Sequence, residues 1–340
     1  MASSSDLNVR RIRLIDVARV AGVAPITVSR ALREPGKVST ETLDRINAAV
    51  ADTGYVPDLV ASSLTSRRSR LVGLVIPTVT ASVYASTVAG ISDALRADNF
   101  QSLLGNSGYD LEREGEIVAA FLGRRADGII LSSVAHAAVT YRMLKDAGIP
   151  VVETGNLTDN PIDMVVGFSN YRAAYEMMRH LVDRGYRHIG FIGAVTKDNP
   201  QASDRQRAYR QAVKDFGLPA APNLILECAP EIWEGRKATA ALIEKSPGVD
   251  AIFAAGEVWA IGAVIECQKR DWQVPERIAI GSYNDADMGE HMTPALTTIR
   301  IPRYEIGRRA ASMILQRLAG LPVDERIVDV GYELVVREST

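Results

Sequence analysis

Apolar residues recur along this chain with two different periods. Over residues 14–33, LIDVARVAGVAPITVSRALR, the spacing is helical: Ile15, Val17, Ala18 and Ala21 share one face, Gly22 breaks the pattern, and Val23, Val28, Ala31 and Leu32 supply the matching face of a second segment. This predicts two short helices around a tight turn, a helix-turn-helix whose second helix fits a DNA major groove. A third helix is expected from about Thr40 to Thr53, capped by Ser39 or Thr40, with Leu43, Ile46, Ala49 and Val50 turned inward and Gly54 ending it. Residues 57–70, PDLVASSLTSRRSR, then read as a linker. Pro57 opens a short helix carrying Leu59, Val60 and Leu64, too short to own a core.

From Leu71 the pattern changes to short apolar runs separated by amphipathic stretches. Strands are expected at 71–77, 101–106, 128–133, 150–154, 164–168, 188–193, 251–255, 278–283 and 296–301. Helices are expected near 84–97, 111–123, 138–147, 170–184, 204–216, 235–245, 257–270 and 304–319. Strand and helix alternating with short turns mean parallel sheets with right-handed crossovers. There are too many units for one open sheet, and the series restarts after Phe168, so two similar α/β lobes are expected. Ligands of such sheets sit beyond the carboxyl ends of the strands, which places one between two facing lobes.

Charge sharpens the division. Residues 1–70 hold eleven Lys and Arg against seven Asp and Glu, a net +4, while the whole chain is at −2, so residues 71–340 carry −6. Positive charge is concentrated where the helix-turn-helix is, as a phosphate-binding element requires. Thr27, Ser29 and Arg30 place hydroxyls and a guanidinium on the second helix, donors suited to phosphate oxygens and guanine edges. No apolar run is long enough to span a bilayer, and MASSSDLNVRRIR lacks a signal peptide's apolar core, so a cytoplasmic protein is expected. Cys228 and Cys267 read as small core residues of a reduced protein, and no histidine pair has a ligand spacing, so neither metal nor cofactor is expected. An enzyme is not expected: no GxGxxG opens the first crossover, no GxxxxGK[ST] is present, and no nucleophile and base can be assembled from spacing.

TVSRAL in the second helix, GYVP after the third, a linker with a leucine and a two-lobed α/β body together resemble the LacI/GalR family of transcription repressors. Further matches are GYDLEREGEIV (108–118), ADGIIL (126–131), AGIPVVE (147–153), GFSN (167–170), GYRHIGFIG (185–193) and LTTIRIP (296–302). PVVE, GFSN and AVIECQK (263–269) are most similar to the gluconate-operon repressor branch. The resemblance implies a three-helix headpiece and linker helix on a body like the periplasmic sugar-binding proteins, with lobes at 71–168 plus 299–322 and 169–298 plus 323–340. The three crossovers then fall near Phe168, Thr298 and Pro322. It also implies that Thr27, Ser29 and Arg30 touch DNA and that Pro25 and Ile26 read the half-site, where Ile26 offers apolar contact such as a thymine methyl accepts. Leu64 aligns with the family's minor-groove wedge; packing on the body is the other reading.

For the cleft, the resemblance implies that Arg205 clamps sugar hydroxyls or a carboxylate, unless it joins Arg207 and Arg210 on a solvated face. Glu257 stands, after Gly256, where the family has an Asn-Asp pair, and would accept from hydroxyls. Trp233, ahead of Trp259, is the candidate aromatic face; core or dimer surface is the rival place for both. Tyr84, Glu153 and Asn156 would line one half of the cleft and Asn284 and Asp285 the other, against ordinary loop positions. The implied protein is a homodimeric repressor that binds a palindromic operator in double-stranded DNA and answers to a small sugar or sugar acid such as gluconate. The alternatives are a solute-binding protein or sugar sensor of the same body fold, and a corepressor-dependent regulator with a non-sugar effector.

Overall fold

The computed structural model describes residues 12–56, 68–79 and 82–340. It divides into two units, Met1–Ser69 and Arg70–Thr340. In the first, α1 (Leu14–Ala21) and α2 (Pro25–Arg33) flank the Gly22 turn, and α3 (Thr40–Thr53) packs across both. Gly22 has φ 65°, the left-handed conformation that glycine adopts without a Cβ penalty. The Arg45 guanidinium of α3 donates to the carbonyls of Ala21 (2.6 Å) and Gly22 (3.2 Å), so a cation closes the negative end of α1. The core is Val17, Ala18, Ala21, Val28, Ala31, Ile46 and Ala49. One expected core residue is displaced: Ile15 is 54% exposed, and Leu14 packs in its place. Ser39, not Thr40, caps α3, accepting from the Thr42 amide. The expected linker helix, with Asp58 and Leu64, lies outside the described residues.

The second unit carries two six-stranded sheets. The first has the order β11-β5-β4-β3-β1-β2 and is parallel throughout; the second is β12-β10-β9-β8-β6-β7, parallel except for its last partner, β12. The strands are β1 (Leu71–Ile76), β2 (Gln101–Asn106), β3 (Gly128–Leu131), β4 (Val151–Thr154), β5 (Met164–Gly167), β6 (Ile189–Gly193), β7 (Ile225–Glu227), β8 (Ala251–Ala254), β9 (Ala279–Asn284), β10 (Thr297–Arg300), β11 (Ile327–Asp329) and β12 (Glu333–Val335). The helices are α4 (Ala85–Ala97), α5 (Leu111–Gly123), α6 (Ala138–Asp146), α7 (Asn170–Asp183), α8 (Pro200–Asp215), α9 (Ile232–Lys245), α10 (Glu257–Lys269) and α11 (Arg303–Leu318). Helices cover both faces of each sheet, so β3, β4, β5, β6 and β8 are buried along their whole length and read as continuous apolar runs. Among the described residues no helix is long and apolar enough to cross a membrane.

The chain passes between the sheets three times. It leaves the first after Gly167 and returns after Arg300, because Thr297–Arg300 is in register with Gly281–Asn284 of β9. The third crossing is not at Pro322 as expected. Ile327–Asp329 pairs with β5, and only after the left-handed Gly331 does β12 join β10. Residues 323–329 therefore belong to the first lobe, and Ile299 and Arg300 to the second. α8 begins at Pro200, earlier than the expected 204, with the Asn199 side chain accepting from the Ala202 amide.

Each lobe is fastened by helices in backbone contact. A Cβ on Gly90 of α4 would lie 2.1 Å from the Tyr304 carbonyl oxygen, and one on Gly307 of α11 2.1 Å from that of Thr87. Gly235 of α9 and Gly262 of α10 meet in the same way in the second lobe. Gly307→Ala is therefore expected to push α4 and α11 apart and destabilise the body by roughly 1–3 kcal/mol. A lowered urea midpoint at unchanged slope is the expected reading, and an unchanged midpoint would contradict the contact.

Candidate functional site

On the headpiece, packing of Val28 and Ala31 leaves one side of α2 open. Pro25, Ile26, Arg30 and Arg33 are exposed on it, and Thr27 and Ser29 half-buried at its border. Ile26 is 63% exposed, which is costly for an apolar residue in water and suits an apolar base edge. Arg30 and Arg33 form no ion pair among the described residues, so both guanidiniums are available to phosphate or guanine.

In the body, a cavity of about 440 Å³ lies between the lobes. Its wall is made by the segments that follow the strands: Tyr84 after β1, Tyr109 after β2, Ser132 after β3, Asn170 after β5, Glu257 after β8 and Arg303 after β10. In both sheets the order reverses beside the first strand, and the cavity sits at those two switch points. Arg205 of α8 faces it with its guanidinium 4.9 Å over the Tyr283 ring. Arg303, on the first turn of α11, donates to the Asn284 side chain. The Nε atoms of both arginines are buried without a hydrogen-bond partner, and neither arginine pairs with a carboxylate among the described residues. Burial lowers the pKa of Arg303, the nearby Arg205 charge adding to this and the phenols of Tyr84 and Tyr283 opposing it. Burial likewise holds the Tyr84 phenol well above its ordinary value, with Tyr109 beside it.

Also on the wall, Glu257 is 5% exposed and accepts from the Gly289 amide at 3.0 Å. Burial raises its pKa, the Gly289 bond opposes that, and the carboxylates of Asp285 and Asp287 add to it. Gly256 has extended backbone open to any residue, but a Cβ there would lie 2.7 Å from the Trp259 ring. The indole, fixed by its Nε1–H donating to the Ala229 carbonyl (2.8 Å), fills the space of a side chain at 256.

Tyr84, Arg205, Glu257 and Asn284 are thus brought together on the wall, and four other expected residues lie off it. Trp233 is 55% exposed at the start of α9, its Nε1–H on Glu231 and Lys237 4.7 Å over its ring; Trp259 is the tryptophan that lines the cavity. Asn156 is held by Asp204 (2.9 Å) and Asn170 (3.4 Å). Asp285 binds Arg300 and Arg337, each at 2.7 Å, tying β10 and the C-terminal segment together. Glu153 points away into the first lobe. The sequence reading missed Arg303 and Tyr109; the available signal was position, since each follows the carboxyl end of a strand.

Glu153 accepts from the Ile162 amide (2.6 Å) and from His136 Nε2 (3.3 Å), while His136 Nδ1 is 2.6 Å from Glu114. The His136 side chain is only 3% exposed. Burial opposes its protonation, but the bonds to Glu114 and Glu153 outweigh it and raise the pKa from 6.5 to about 9. A raised folded pKa stabilises fully below the unfolded value of 6.5, and the contribution is lost as pH rises through about 9. It amounts to something on the order of 3 kcal/mol. Wild-type unfolding midpoints are expected to fall between pH 6.5 and 9, and those of His136→Gln to start lower and fall less; parallel curves would contradict the charged triad. Among the described residues no group of His, Cys, Asp and Glu is arranged to hold a metal ion.

Two family models match this chain: bacterial regulatory proteins of the lacI family over residues 13–58, and the periplasmic binding protein-like domain over 178–340. The HTH-type transcriptional regulator GntR of Escherichia coli K12 is 33% identical over 94% of this chain and 96% of its own. The regulator IdnR of the same strain is 33% identical over 95% and 97%. A LacI family transcriptional regulator from Silicibacter pomeroyi superposes with a TM-score of 0.89 at 30% identity, covering 96% of this chain and 99% of that one. The transcriptional regulator CelR, solved as a cellobiose complex, superposes with a TM-score of 0.70 at 29% identity over 97% and 100%.

Proposed function

The chain belongs to the lacI family of bacterial regulatory proteins and is a DNA-binding transcriptional regulator rather than an enzyme, and we propose that it represses sugar-acid utilisation genes under the control of a gluconate-type effector. The observation that carries the acid is the guanidinium pair of Arg205 and Arg303 in one cavity, with no carboxylate bound to either among the described residues. Two like charges repel at close range in a partly dry cavity, and a ligand anion relieves that repulsion. CelR, a regulator of this fold solved as a cellobiose complex, supports a carbohydrate-like effector for this chain.

Operator contact is assigned to Pro25, Ile26, Thr27, Ser29 and Arg30 on α2, and the minor-groove wedge to Leu64. Tyr84, Arg205, Glu257 and Asn284 are assigned to the effector. Glu153, Asn156, Asp285 and Trp233 act one step back or elsewhere. The working form is a homodimer on a palindromic site in the cytoplasm, because one recognition helix reads too few base pairs for useful specificity. Effector and operator are coupled through the lobes: a ligand that binds one lobe arrangement better shifts the population toward it, and DNA shifts it reciprocally. The test is thermal unfolding of the intact protein against gluconate and against neutral hexoses. A midpoint that rises with gluconate concentration supports the reading. A response to neutral hexoses alone would overturn the acid assignment.

A further inference from the structure

Besides the three crossovers, a seam of side-chain hydrogen bonds joins the lobes. α8 belongs to the second lobe, where it packs on α7 and β6. Its first turns nevertheless reach the loops of the first lobe. Gln201 Nε2 donates to the Ser132 carbonyl after β3 (3.3 Å), and Asp204 accepts from Asn156 Nδ2 after β4 (2.9 Å). At the start of α7, Asn170 donates to the Gly155 carbonyl (2.8 Å) and accepts from the Tyr283 hydroxyl (3.1 Å). Gly155 admits α8 at this place: its φ is 93°, and a Cβ there would lie 2.6 Å from Gln201 Nε2. Just before α8, Asp198 and Asn199 face Ser107 and Glu114 across a gap of about 20 Å³, room for one water molecule.

The bond between Asn156 and Asp204 is built to hold and to release. Its acceptor is a carboxylate, which strengthens it, and Asn156 is 5% exposed, where a buried amide needs a partner. Release strands neither group. Asp204 keeps Arg207 of its own helix at 2.8 Å, a side chain 67% exposed, and parting lobes would bring water to Asn156. Neither residue lines the cavity, whereas Gly155, Asn170 and Gln201 do.

We infer that Asn156 and Asp204 form a latch that holds the lobes closed before any effector arrives, and that this latch, acting from outside the cavity wall, sets the affinity for effector and operator alike. This rests on the regulatory reading above and names what fixes its resting state. Both are positioning residues: they act through the lobes and not on the ligand. An effector that meets lobes already closed bears no closing cost, since its apparent dissociation constant is the intrinsic one divided by the closed fraction. Loosening the latch therefore weakens the effector. By reciprocity it also moves operator affinity in the direction opposite to the effector's own influence.

The test compares the intact protein with Asn156→Asp, which sets two carboxylates against each other, and with the exchanged pair Asn156→Asp and Asp204→Asn. The exchange restores one donor and one acceptor with their polarity reversed, and the exposed ion pair to Arg207 that it removes is worth little. Small-angle X-ray scattering without ligand is expected to give Asn156→Asp a larger radius of gyration than the wild type, and the exchanged pair the wild-type radius. Saturating gluconate is expected to compact Asn156→Asp and to leave the wild type unchanged. By calorimetry, gluconate is expected to bind Asn156→Asp roughly 5- to 50-fold more weakly, and the exchanged pair within about threefold of the wild type. Asn156→Ala, which removes the donor without adding charge, is expected to move each reading the same way by less. Three equal ligand-free radii overturn the latch, as does a wild type that gluconate compacts as much as it does Asn156→Asp. Equal loss of gluconate binding in Asn156→Asp and the exchanged pair also overturns it. A wild type that does not bind gluconate overturns the sugar-acid reading instead, and the ligand-free radii then decide the latch.

Discussion

Removal of residues 1–69 is expected to abolish specific operator binding while leaving effector affinity within a few-fold of the intact chain. The headpiece carries its own core of Val17, Val28, Ile46 and small residues, and the body has separate cores around both sheets. The described residues that line the cavity all belong to the second unit. The truncated body therefore retains what holds the ligand and loses every group assigned to base edges and phosphates. Specific sites are typically bound about 10³-fold or more tighter than random DNA, and that whole margin is expected to vanish. Gel-shift titration with a duplex selected from a random pool reads the first effect, and calorimetry with gluconate the second. Loss of both together would contradict the modular account.

Arg205→Ala is expected to weaken gluconate binding by about 2–4 kcal/mol, roughly 30- to 1,000-fold. The side chain forms no hydrogen bond of its own within the described protein and rests on Tyr283, so truncation removes a ligand contact more than a structural one. Unliganded stability is expected to change by only about 1 kcal/mol, the order of a half-buried cation–π contact. The result expected is a near-flat thermal midpoint without ligand and a lost shift with it. A variant that unfolds early but still binds gluconate at the wild-type level would mean that Arg205 braces the lobe and does not meet the ligand.

Much of this architecture was legible from the chain alone because its central strands are covered on both faces. Runs such as GIIL and MVVG are then continuous and apolar, and they alternate with amphipathic helices. The three unforeseen strands, β7, β11 and β12, are three residues each at sheet edges, too short to leave a period and each with one acidic residue. That is why the last crossing was expected at Pro322 although Ile327 and Val328 still belong to the first sheet. Ile15 and Leu14 both suit the inner face of a two-turn helix, and only the angle at which α3 crosses decides between them.

The site was legible where a motif fixes position and illegible where side-chain direction decides. Glu153 and Thr154 are adjacent on β4, and alternation sends Thr154 toward the cavity and Glu153 to the His136 side of the sheet. Nothing local distinguishes the two, because the partner of Glu153 is 17 residues away. Gly256 reads as an unexplained departure until the Trp259 ring is found in the space beside it. Arg303 follows β10 and Pro302, and nothing local in PRYEIG (302–307) marks its side chain as the one turned to the cavity.

An acid in the cavity is proposed to control the headpiece's hold on DNA. The most direct measurement is fluorescence anisotropy of a selected operator duplex with the intact protein, titrated at fixed salt with and without saturating gluconate, because salt alone shifts such affinities. A change in operator affinity of roughly 5- to 150-fold is predicted, with the same factor recovered when gluconate binding is measured with and without the duplex. Gluconate bound in the cavity with operator affinity unchanged would contradict it.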